Sequence, residues 1–295
     1  MTTAHSLSLE DFISDQELES LILRARHEDM GAEGLDLTST GLVAAEAQGR
    51  AQVRSRQDGR LAGAALLPAI LSVYDTELAL HDARPDGSPV RAGDVAASIS
   101  GPMRSILAME RVALNFLCHL SGIATITARY VEAVKDTTTR ILDTRKTLPG
   151  LRALEKYAVT CGGGTSHRMG LHDAVLVKDN HLSGQSPQQI AAAVARWRRG
   201  TPRPQFVEVE VDTLEQLASV LECGADRFLL DNMTTDQLRQ AVAMRDRSAP
   251  GALLEASGGV SLDSAQVAAR TGVDMISVGA LTHSAPALDL GLDVV

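Results

Sequence analysis

The sequence has few aromatic residues and no excess of basic charge. Phenylalanine, tryptophan and tyrosine make up 3% of the 295 residues, too few for the stacking surfaces that nucleic-acid binding requires. The formal net charge of −9 repels a polyanion and also argues against a nucleic-acid partner. An anionic small molecule would therefore need a local pocket of basic side chains.

Cysteines and long apolar runs are also scarce. Cys118, Cys161 and Cys223 are odd in number and lack CxxC spacing, which indicates buried reduced thiols and excludes a zinc site or a disulfide framework. No continuous apolar run reaches the length of about 18 residues that a membrane helix needs, and the acidic first residues do not resemble a signal peptide. We expect a cytoplasmic protein without membrane contact.

The first part of the chain is predicted to begin with an amphipathic helix. Apolar residues recur among acids over residues 7–26, and Ser14 or Asp15 would cap the helix. An acidic stretch from Glu28 to Asp36 follows and leads into a capped surface turn.

Shorter elements follow in the N-terminal part. Alternating runs broken by glycine and proline over residues 49–95 predict strands joined by tight turns, with one helix at 66–74. A long helix is predicted over 104–134, with a break at Gly122. We assign residues 1–111 to an N-terminal α+β domain.

Helices and strands then alternate regularly. Six strands are predicted, near residues 140 and 174 and at 206–211, 227–230, 252–254 and 274–278. Alternating βα units form a parallel sheet with right-handed crossovers. The expected fold class is α/β, an open, incomplete βα barrel over residues 112–283, with residues 284–295 returning to the N-terminal domain. An open doubly wound sheet is the alternative.

Basic side chains follow the first two of these strands and the loop between them. They are Arg145, Lys146, His167, Arg168 and Lys178. A helix starting at Pro149 separates the first group from the glycines at 162–164. Because these glycines follow a helix, they are not a dinucleotide-binding fingerprint, but they could bring residues 166–168 close to an anion.

Acidic side chains follow the later strands. The period of two places Glu208 and Glu210 on one side of their strand, and Asp231 ends the next strand. Buried carboxylates are costly unless they are paired or bind a metal. Two interpretations remain open, internal salt bridges to the lysines or a divalent cation.

The last two βα turns contain small residues that suit phosphate binding through backbone N–H groups. They are Ser257, Gly258, Gly259, Gly279 and Ala280. Together with the basic and acidic groups, these turns indicate a substrate that carries a monophosphate and a pyrophosphate, with magnesium bridging to the acids.

The motifs, in this order, resemble those of the quinolinate phosphoribosyltransferase family. They are DTRKT (143–147), EKY (155–157), GGGTSHR (162–168), KDNH (178–181), VEVE (207–210), LDN (230–232), EASGG (255–259) and VGALTH (278–283). The resemblance extends to Glu28-Asp29, to residues 36–38 and to residues 110–115, so it covers nearly the whole chain.

The resemblance implies a sandwich-like N-terminal domain, an open seven-stranded α/β barrel and a homodimer. It implies transfer of phosphoribosyl from 5-phosphoribosyl 1-pyrophosphate to quinolinate, with loss of CO2, to give nicotinate mononucleotide for NAD biosynthesis. Mg2+ would assist, and no organic cofactor would be needed.

The resemblance also implies the role of each residue. Arg145, His167, Arg168 and Arg111 of the partner subunit would hold the two carboxylates, whereas the residues alone favour a structural Arg111. Lys146 and Lys178 would face the sugar phosphates, with Lys146 catalytic. Glu210 and Asp231 would be catalytic and hold the metal.

Two departures and two rival functions remain. Ser166 stands where the family often has asparagine, and the loop from Glu28 to Asp36 is longer than usual. One rival is a Schiff-base lyase or aldolase that uses Lys178 as its nucleophile. The other is a non-catalytic anion-binding relative of the group associated with molybdenum transport, which lacks the KDNH motif found here at 178–181.

Overall fold

The computed structural model describes residues 8–182 and 184–295, which form two compact units. Unit 1 contains the described residues up to Ala128 together with Leu148–Gly163 and Ser284–Val295. Unit 2 contains Arg129–Thr147 and Gly164–His283. The boundary between the units thus lies at 128/129, whereas the sequence analysis placed a domain boundary at 111/112.

Helices occur in both units. The α-helices are α1 (Asp15–Met30), α2 (Leu37–Leu42), α3 (Leu67–Tyr74), α4 (Met103–Ala133), α5 (Arg152–Cys161), α6 (Asp179–Leu182), α7 (Pro187–Arg199), α8 (Leu214–Val220), α9 (Thr235–Ser248), α10 (Leu262–Ala269) and α11 (Ala280–His283).

The strands form one sheet in each unit, with a separate pair in unit 1. They are β1 (Gln48–Ser55), β2 (Gly59–Arg60), β3 (Ala79–His81), β4 (Pro89–Val90), β5 (Val95–Pro102), β6 (Arg140–Leu142), β7 (Val175–Val177), β8 (Val207–Val211), β9 (Arg227–Asp231), β10 (Leu253–Ser257), β11 (Met275–Ser277) and β12 (Leu290–Val294).

Local capping sets where the helices begin. Ser14 caps α1, as expected, because its side chain accepts from the Glu17 N–H while the Glu17 carboxylate accepts from the Ser14 N–H. Leu7, the expected first residue of this helix, lies outside the described residues. Asp36 caps α2 through its side chain, which accepts from the Ser39 N–H at 3.0 Å. Helix α5 begins at Arg152 and not at Pro149 as predicted, because a turn from Leu148 to Leu151 precedes it.

Unit 1 contains an antiparallel sheet with the strand order β12-β1-β5-β3. Strand β12 comes from the C-terminal end of the chain and pairs with β1 from Ala51 to Ser55. The inward residues of β1, Ala51 and Val53, are almost fully buried. Alternation along the strand therefore builds one face of the core of unit 1.

Helix α4 runs without the break predicted at Gly122. Its buried face includes Ile106, Met109, Ala113, Leu117, Leu120 and Ile123. A Cβ at Gly122 would lie 2.2 Å from the Pro286 carbonyl oxygen and 3.0 Å from the Cα of Ala287. The glycine thus permits close approach of the C-terminal segment and does not end the helix.

The length and apolar composition of α4 would also allow it to cross a bilayer. Its most apolar 18-residue window has a mean hydropathy of 1.3, and 56% of that window is buried inside the protein. Burial of this kind is typical of a core helix in a soluble protein.

Unit 2 contains a parallel sheet with the strand order β6-β11-β10-β9-β8-β7. From β7 to β11 each strand pairs with the next one along the chain, and the first strand, β6, pairs with the last, β11. This is the order of a barrel that stays open between β6 and β7, not of a doubly wound sheet. The described residues form six strands here, and an isolated bridge joins Leu142 to Thr165.

Strand β8 shows the predicted alternation. Its three valines, Val207, Val209 and Val211, are buried on one side. On the other side Glu208 is fully buried, while the side chain of Glu210 near the strand end keeps 12% exposure. The two glutamates therefore lie at different depths.

Replacing Gly122 by alanine is expected to destabilise the protein by about 1–3 kcal/mol, because the added Cβ overlaps the Pro286 carbonyl. This loss should outweigh the helix preference of alanine, which is about 1 kcal/mol. Gly41→Ala is the matched control, since Gly41 lies in α2 and a Cβ there meets nothing within 4 Å. Urea unfolding of both variants measures the difference, and equal stabilities would contradict the packing argument.

Candidate active site

The carboxyl ends of the parallel strands carry most of the residues that the sequence analysis selected. Arg145 and Lys146 follow β6, Lys178 follows β7, Glu210 lies in β8, Asp231 ends β9, Ser257 ends β10, and Gly279 and Ala280 follow β11. In the register of the sheet Asp231 pairs with Ser257, and Glu210 pairs with Leu229. Unit 2 thus brings these side chains to one edge of its sheet.

Asp143 anchors the loop that carries His167 and Arg168. Its carboxylate is fully buried and accepts from the His167 backbone N–H at 2.9 Å. The Ser166 hydroxyl donates to the same carboxylate at 3.2 Å, so serine keeps the hydrogen-bonding group expected at this position. The loop is therefore fixed against the end of β6.

Arg168 and Arg145 place two guanidinium groups near each other. Arg168 is 6% exposed, and its Nη1 donates to the Ala174 carbonyl at 3.1 Å. Burial lowers the pKa of Arg168, and the positive charge of Arg145 lowers it further, against the opposite effect of nearby carboxylates. Two adjacent cations of this kind form a site for an anion with two carboxylates.

His167 takes part in a buried cluster with Glu208 and Glu255. Its Nε2 lies 2.9 Å from an oxygen of Glu208 and 3.5 Å from one of Glu255, and both glutamates are fully buried. Its Nδ1 accepts from the Arg168 backbone N–H at 2.7 Å. Both ring nitrogens are thus engaged inside unit 2, so His167 supports Arg168 in this arrangement. Direct contact of His167 with a substrate carboxylate, which the resemblance implies, stays a prediction.

The buried cluster retains an extra proton. Burial opposes a charged imidazole, but hydrogen bonds and charge from Glu208 and Glu255 raise the pKa of His167 to about 9. Burial, with the charge of Glu255, raises the pKa of Glu208 to about 7. A second ring proton would lie on Nδ1, against the Arg168 N–H. Protonation of the ring would therefore break the bond from the Arg168 N–H, so the raised pKa values mean that the cluster as a whole holds protons that the free side chains would lose.

The predicted metal pair, Glu210 and Asp231, lies on adjacent strands. Lys178 Nζ binds one oxygen of Glu210 at 2.8 Å, and the amide of Asn232 donates to one oxygen of Asp231 at 2.7 Å. Each contact uses a single carboxylate oxygen. Mg2+ is bound through one or two carboxylates together with substrate phosphates, so this donor set fits it.

A different set forms the tightest group of ligand-type atoms in the described residues. The atoms of His167, Glu208 and Glu255 lie within 4.8 Å of one another. The sequence left open salt bridges to the lysines or a divalent cation: a lysine pair is present at Glu210, Glu208 contacts His167 instead, and the divalent cation stays a prediction.

Three glycines of the predicted phosphate turns have different surroundings. A Cβ at Gly279 would lie 3.0 Å from Lys146 Cδ, and one at Gly258 would lie 2.2 Å from Asn232 Oδ1. At Gly259, which has a φ of +56°, it would meet nothing within 4 Å. Of these three glycines, only Gly259 has free space at the position that a Cβ would occupy.

Arg111 lies in unit 1 on a cavity of about 410 Å3. Its side chain is 64% exposed and lies 3.9 Å from Glu110. Glu28, Asp29, Asn115 and His119 also line this cavity, so two motifs far apart in the sequence meet there.

Sequence reasoning missed the roles of Asn232 and Glu255. Asn232 stands next to the selected Asp231, and a left-handed backbone at an asparagine after a strand carries no distinct sequence signal. Glu255 is a single carboxylate within an apolar strand, which is the available signal for a buried charged cluster.

Comparison with known proteins identifies the family. The sequence model of the quinolinate phosphoribosyl transferase C-terminal domain matches residues 123–293, and that of the N-terminal domain matches residues 36–121. The chain belongs to the quinolinate phosphoribosyltransferase family. It is therefore a member of a family of pentosyltransferase enzymes.

Relatives of this phosphoribosyltransferase match along most of their length. The nicotinate-nucleotide pyrophosphorylase [carboxylating] of Mycobacterium leprae is 43% identical over 96% of this chain and 100% of its own. The quinolinate phosphoribosyltransferase [decarboxylating] 1b of Nicotiana tabacum is 36% identical over 94% of this chain and 82% of its own.

Solved structures agree with the fold of this phosphoribosyltransferase. The nicotinate-nucleotide pyrophosphorylase of Francisella tularensis superposes with a TM-score of 0.87 at 35% identity, covering 96% of this chain and 98% of its own. That of Ehrlichia chaffeensis gives 0.85 at 33% identity, covering 96% and 99%.

The proton held by the buried cluster predicts how the stability of this phosphoribosyltransferase depends on pH. The pKa of Glu208 rises from the ordinary 4.5 to about 7 in the folded chain, and that of His167 from 6.5 to about 9. Between the ordinary and the raised values, the folded chain therefore binds more protons than the unfolded chain. The unfolding free energy should therefore fall as pH rises from about 5 to about 9, by at most about 1.4 kcal/mol per pH unit for each proton.

Glu255→Gln tests this dependence, because Glu255 contributes to both raised pKa values. Urea unfolding at several pH values should show a shallower decline than in the wild type. Glu222→Gln, at an exposed carboxylate of unit 2, should leave the decline unchanged. Parallel curves for Glu255→Gln and wild type would exclude the buried cluster as the source.

Proposed function

We propose that the chain transfers phosphoribosyl from 5-phosphoribosyl 1-pyrophosphate to quinolinate with decarboxylation. The products would be nicotinate mononucleotide, pyrophosphate and CO2, in the biosynthesis of NAD. The observation that carries the proposal is the pair of adjacent guanidinium groups, Arg145 and Arg168, at the sheet edge that also carries Glu210 and Asp231. The names of the relatives support the same reaction.

The two arginines hold the dicarboxylate. Each guanidinium can form paired hydrogen bonds with one carboxylate, which fixes the plane of the pyridine ring. Arg168 is buried and held by the Ala174 carbonyl and, through its backbone, by His167, so its position costs little reorganisation on binding. His167 accordingly contributes by positioning Arg168.

The acidic residues act on the sugar. Loss of pyrophosphate leaves positive charge on the ribose ring, and the carboxylates of Glu210 and Asp231 stabilise that charge. Mg2+, held by the same two residues, would neutralise the diphosphate and orient it as the leaving group. Lys178, paired with Glu210 at 2.8 Å, and Lys146, packed against Gly279, face the phosphates.

No organic cofactor is needed for decarboxylation. Once the ring nitrogen carries the ribose, its positive charge stabilises the electron pair that loss of CO2 leaves on the adjacent ring carbon, and a proton from water then adds to that carbon to give nicotinate mononucleotide. The chain's contribution is to orient the two substrates and to exclude alternative poses.

The surroundings of Lys178 do not favour a role as a Schiff-base nucleophile. A Schiff-base lyase needs a neutral amine, whereas Lys178 forms an ion pair with Glu210. Retention of the KDNH motif at 178–181 also separates the chain from the non-catalytic anion-binding group.

We further propose a homodimer in which Arg111 of one subunit completes the site of the other. Arg111 supports this role because its side chain is exposed on a cavity and its nitrogen lies 3.9 Å from the Glu110 carboxylate, longer than a hydrogen bond. A cytoplasmic location is proposed as well, since all three cysteines are free thiols.

Quinolinate should be converted and nicotinate should not. Mixing the protein with quinolinate, 5-phosphoribosyl 1-pyrophosphate and Mg2+ should produce nicotinate mononucleotide, detected by chromatography. Nicotinate has one carboxylate fewer and leaves a buried cation unpaired, so its kcat/KM should be lower by roughly 10^4-fold. Comparable turnover of nicotinate would favour a non-decarboxylating transferase.

Mixing two inactive variants tests the shared site. Arg111→Ala and Lys146→Ala should each be folded, nearly inactive dimers. In an equal mixture, half of the dimers are hybrids with one intact site, so activity should return to about a quarter of the wild-type value. Native mass spectrometry confirms subunit exchange. If hybrids form and no activity returns, Arg111 does not act across the interface.

A further inference from the structure

Asn232, directly after β9, has a left-handed backbone. Its φ is +52°, and in residues 8–182 and 184–295 Asp82 is the only other non-glycine residue with a positive φ. Asparagine tolerates this conformation better than most residues, but it is still less favourable there than an extended or right-handed backbone. Such conformations persist where neighbouring contacts hold them, and they cluster at functional sites.

Two hydrogen bonds hold Asn232. Its backbone N–H donates to the Ser257 carbonyl at 2.9 Å, on the neighbouring strand β10. Its side-chain amide donates to Oδ2 of Asp231 at 2.7 Å. The second bond fixes the orientation of the Asp231 carboxylate, which otherwise rotates easily about its last side-chain torsion. An amide is a neutral donor, so it orients Asp231 and leaves its negative charge in place.

This arrangement differs from that of Glu210 on the adjacent strand. Glu210 is held by the ammonium group of Lys178, which compensates its charge. Asp231 is held by an amide and therefore keeps a full charge for a cationic ligand or transition state. The left-handed backbone is what allows a residue directly after Asp231 to turn its amide back onto that carboxylate.

Gly258 makes room for Asn232. A Cβ at Gly258 would lie 2.2 Å from Asn232 Oδ1, 2.6 Å from its Cγ and 2.9 Å from its backbone nitrogen. Two of these atoms belong to the side chain that holds Asp231, and the third donates to Ser257. The observed position of Asn232 therefore requires a glycine at 258, whether or not a ligand binds there.

We propose that Asn232 is a positioning residue for Asp231, and that Gly258 acts through Asn232 and not by admitting phosphate. Asn232 orients one carboxylate oxygen away from the reaction centre and leaves the other for the ribose charge or Mg2+. The inference rests on the proposed function, which assigns Asp231 to the reaction.

The main test compares Asn232→Asp with Asn232→Gly. Aspartate and glycine both tolerate a left-handed backbone, so the unfolding free energy measured in urea should change little in either variant. Asn232→Gly removes the donor, and kcat should fall about 10- to 100-fold, as when a residue that supports a metal ligand is lost. Asn232→Asp places a second carboxylate against Asp231, so it should lose at least as much. Wild-type kcat in Asn232→Asp would overturn the proposal, since a purely structural role is preserved by aspartate.

A double variant tests the role of Gly258. Gly258→Ala should lower kcat, because its Cβ displaces the Asn232 side chain. Gly258→Ala combined with Asn232→Gly should lose less than the two single losses together, because the Asn232 side chain that the Cβ would displace is already absent and only its contact with the backbone nitrogen remains. Additive losses would show that Gly258 contacts the ligand itself. Gly224→Ala controls for backbone strain, since Gly224 has a φ of +83° and open space around its Cβ direction.

A binding measurement separates this inference from the proposed function. The rise in Tm caused by 5-phosphoribosyl 1-pyrophosphate should depend on Mg2+ in the wild type and lose that dependence in Asn232→Asp. An inactive wild type would refute the proposed reaction, and this shift would still decide the role of Asn232. An active wild type with the same Mg2+-dependent shift in Asn232→Asp would refute the positioning role alone.

Discussion

Parallel hydrogen bonding between neighbouring strands is the constraint on which the site depends. Strands β7 to β11 pair in chain order, and β6 pairs with β11, so all six carboxyl ends face one edge. The register pairs Asp231 with Ser257 and Glu208 with Arg227. Side chains alternate between the two faces along a strand. If β8 or β9 slipped by one residue against its neighbour, its carboxylate, Glu208 or Asp231, would turn to the opposite face of the sheet.

Charge is distributed by depth at this edge. The fully buried Glu208 and Glu255 lie 2.9 Å and 3.5 Å from Nε2 of His167, while the partly exposed Glu210 pairs with Lys178. Arg145 and Arg168 place two positive charges at the same edge, where paired hydrogen bonds would suit a dianion. A chain with a net charge of −9 thus keeps cationic side chains beside its acids at this edge.

Glycine shows how local pattern and tertiary contact can be confused. Gly122 within α4 was predicted as a helix break, because glycine disfavours helix, yet the close approach of Pro286 explains it. Gly258 is predicted to bind phosphate, because small residues in βα turns suit that role, and the structure adds that its missing Cβ accommodates Asn232. In both cases the partner is far away in the sequence, and the residue type alone is compatible with several explanations.

The sequence by itself determined the helices and strands of unit 2, the alternation of β8 and the family. These features depend on periodicity, on capping residues such as Ser14, and on motifs whose residues lie close together in the chain. Only the tertiary structure decided that α4 is continuous, that the ring of His167 faces Glu208 and Glu255, and that Asn232 holds Asp231. The first two results depend on contacts between segments that are far apart in the sequence, and the third on a backbone conformation of Asn232 that contacts with Ser257 and Gly258 hold, so neighbouring residues do not encode any of them.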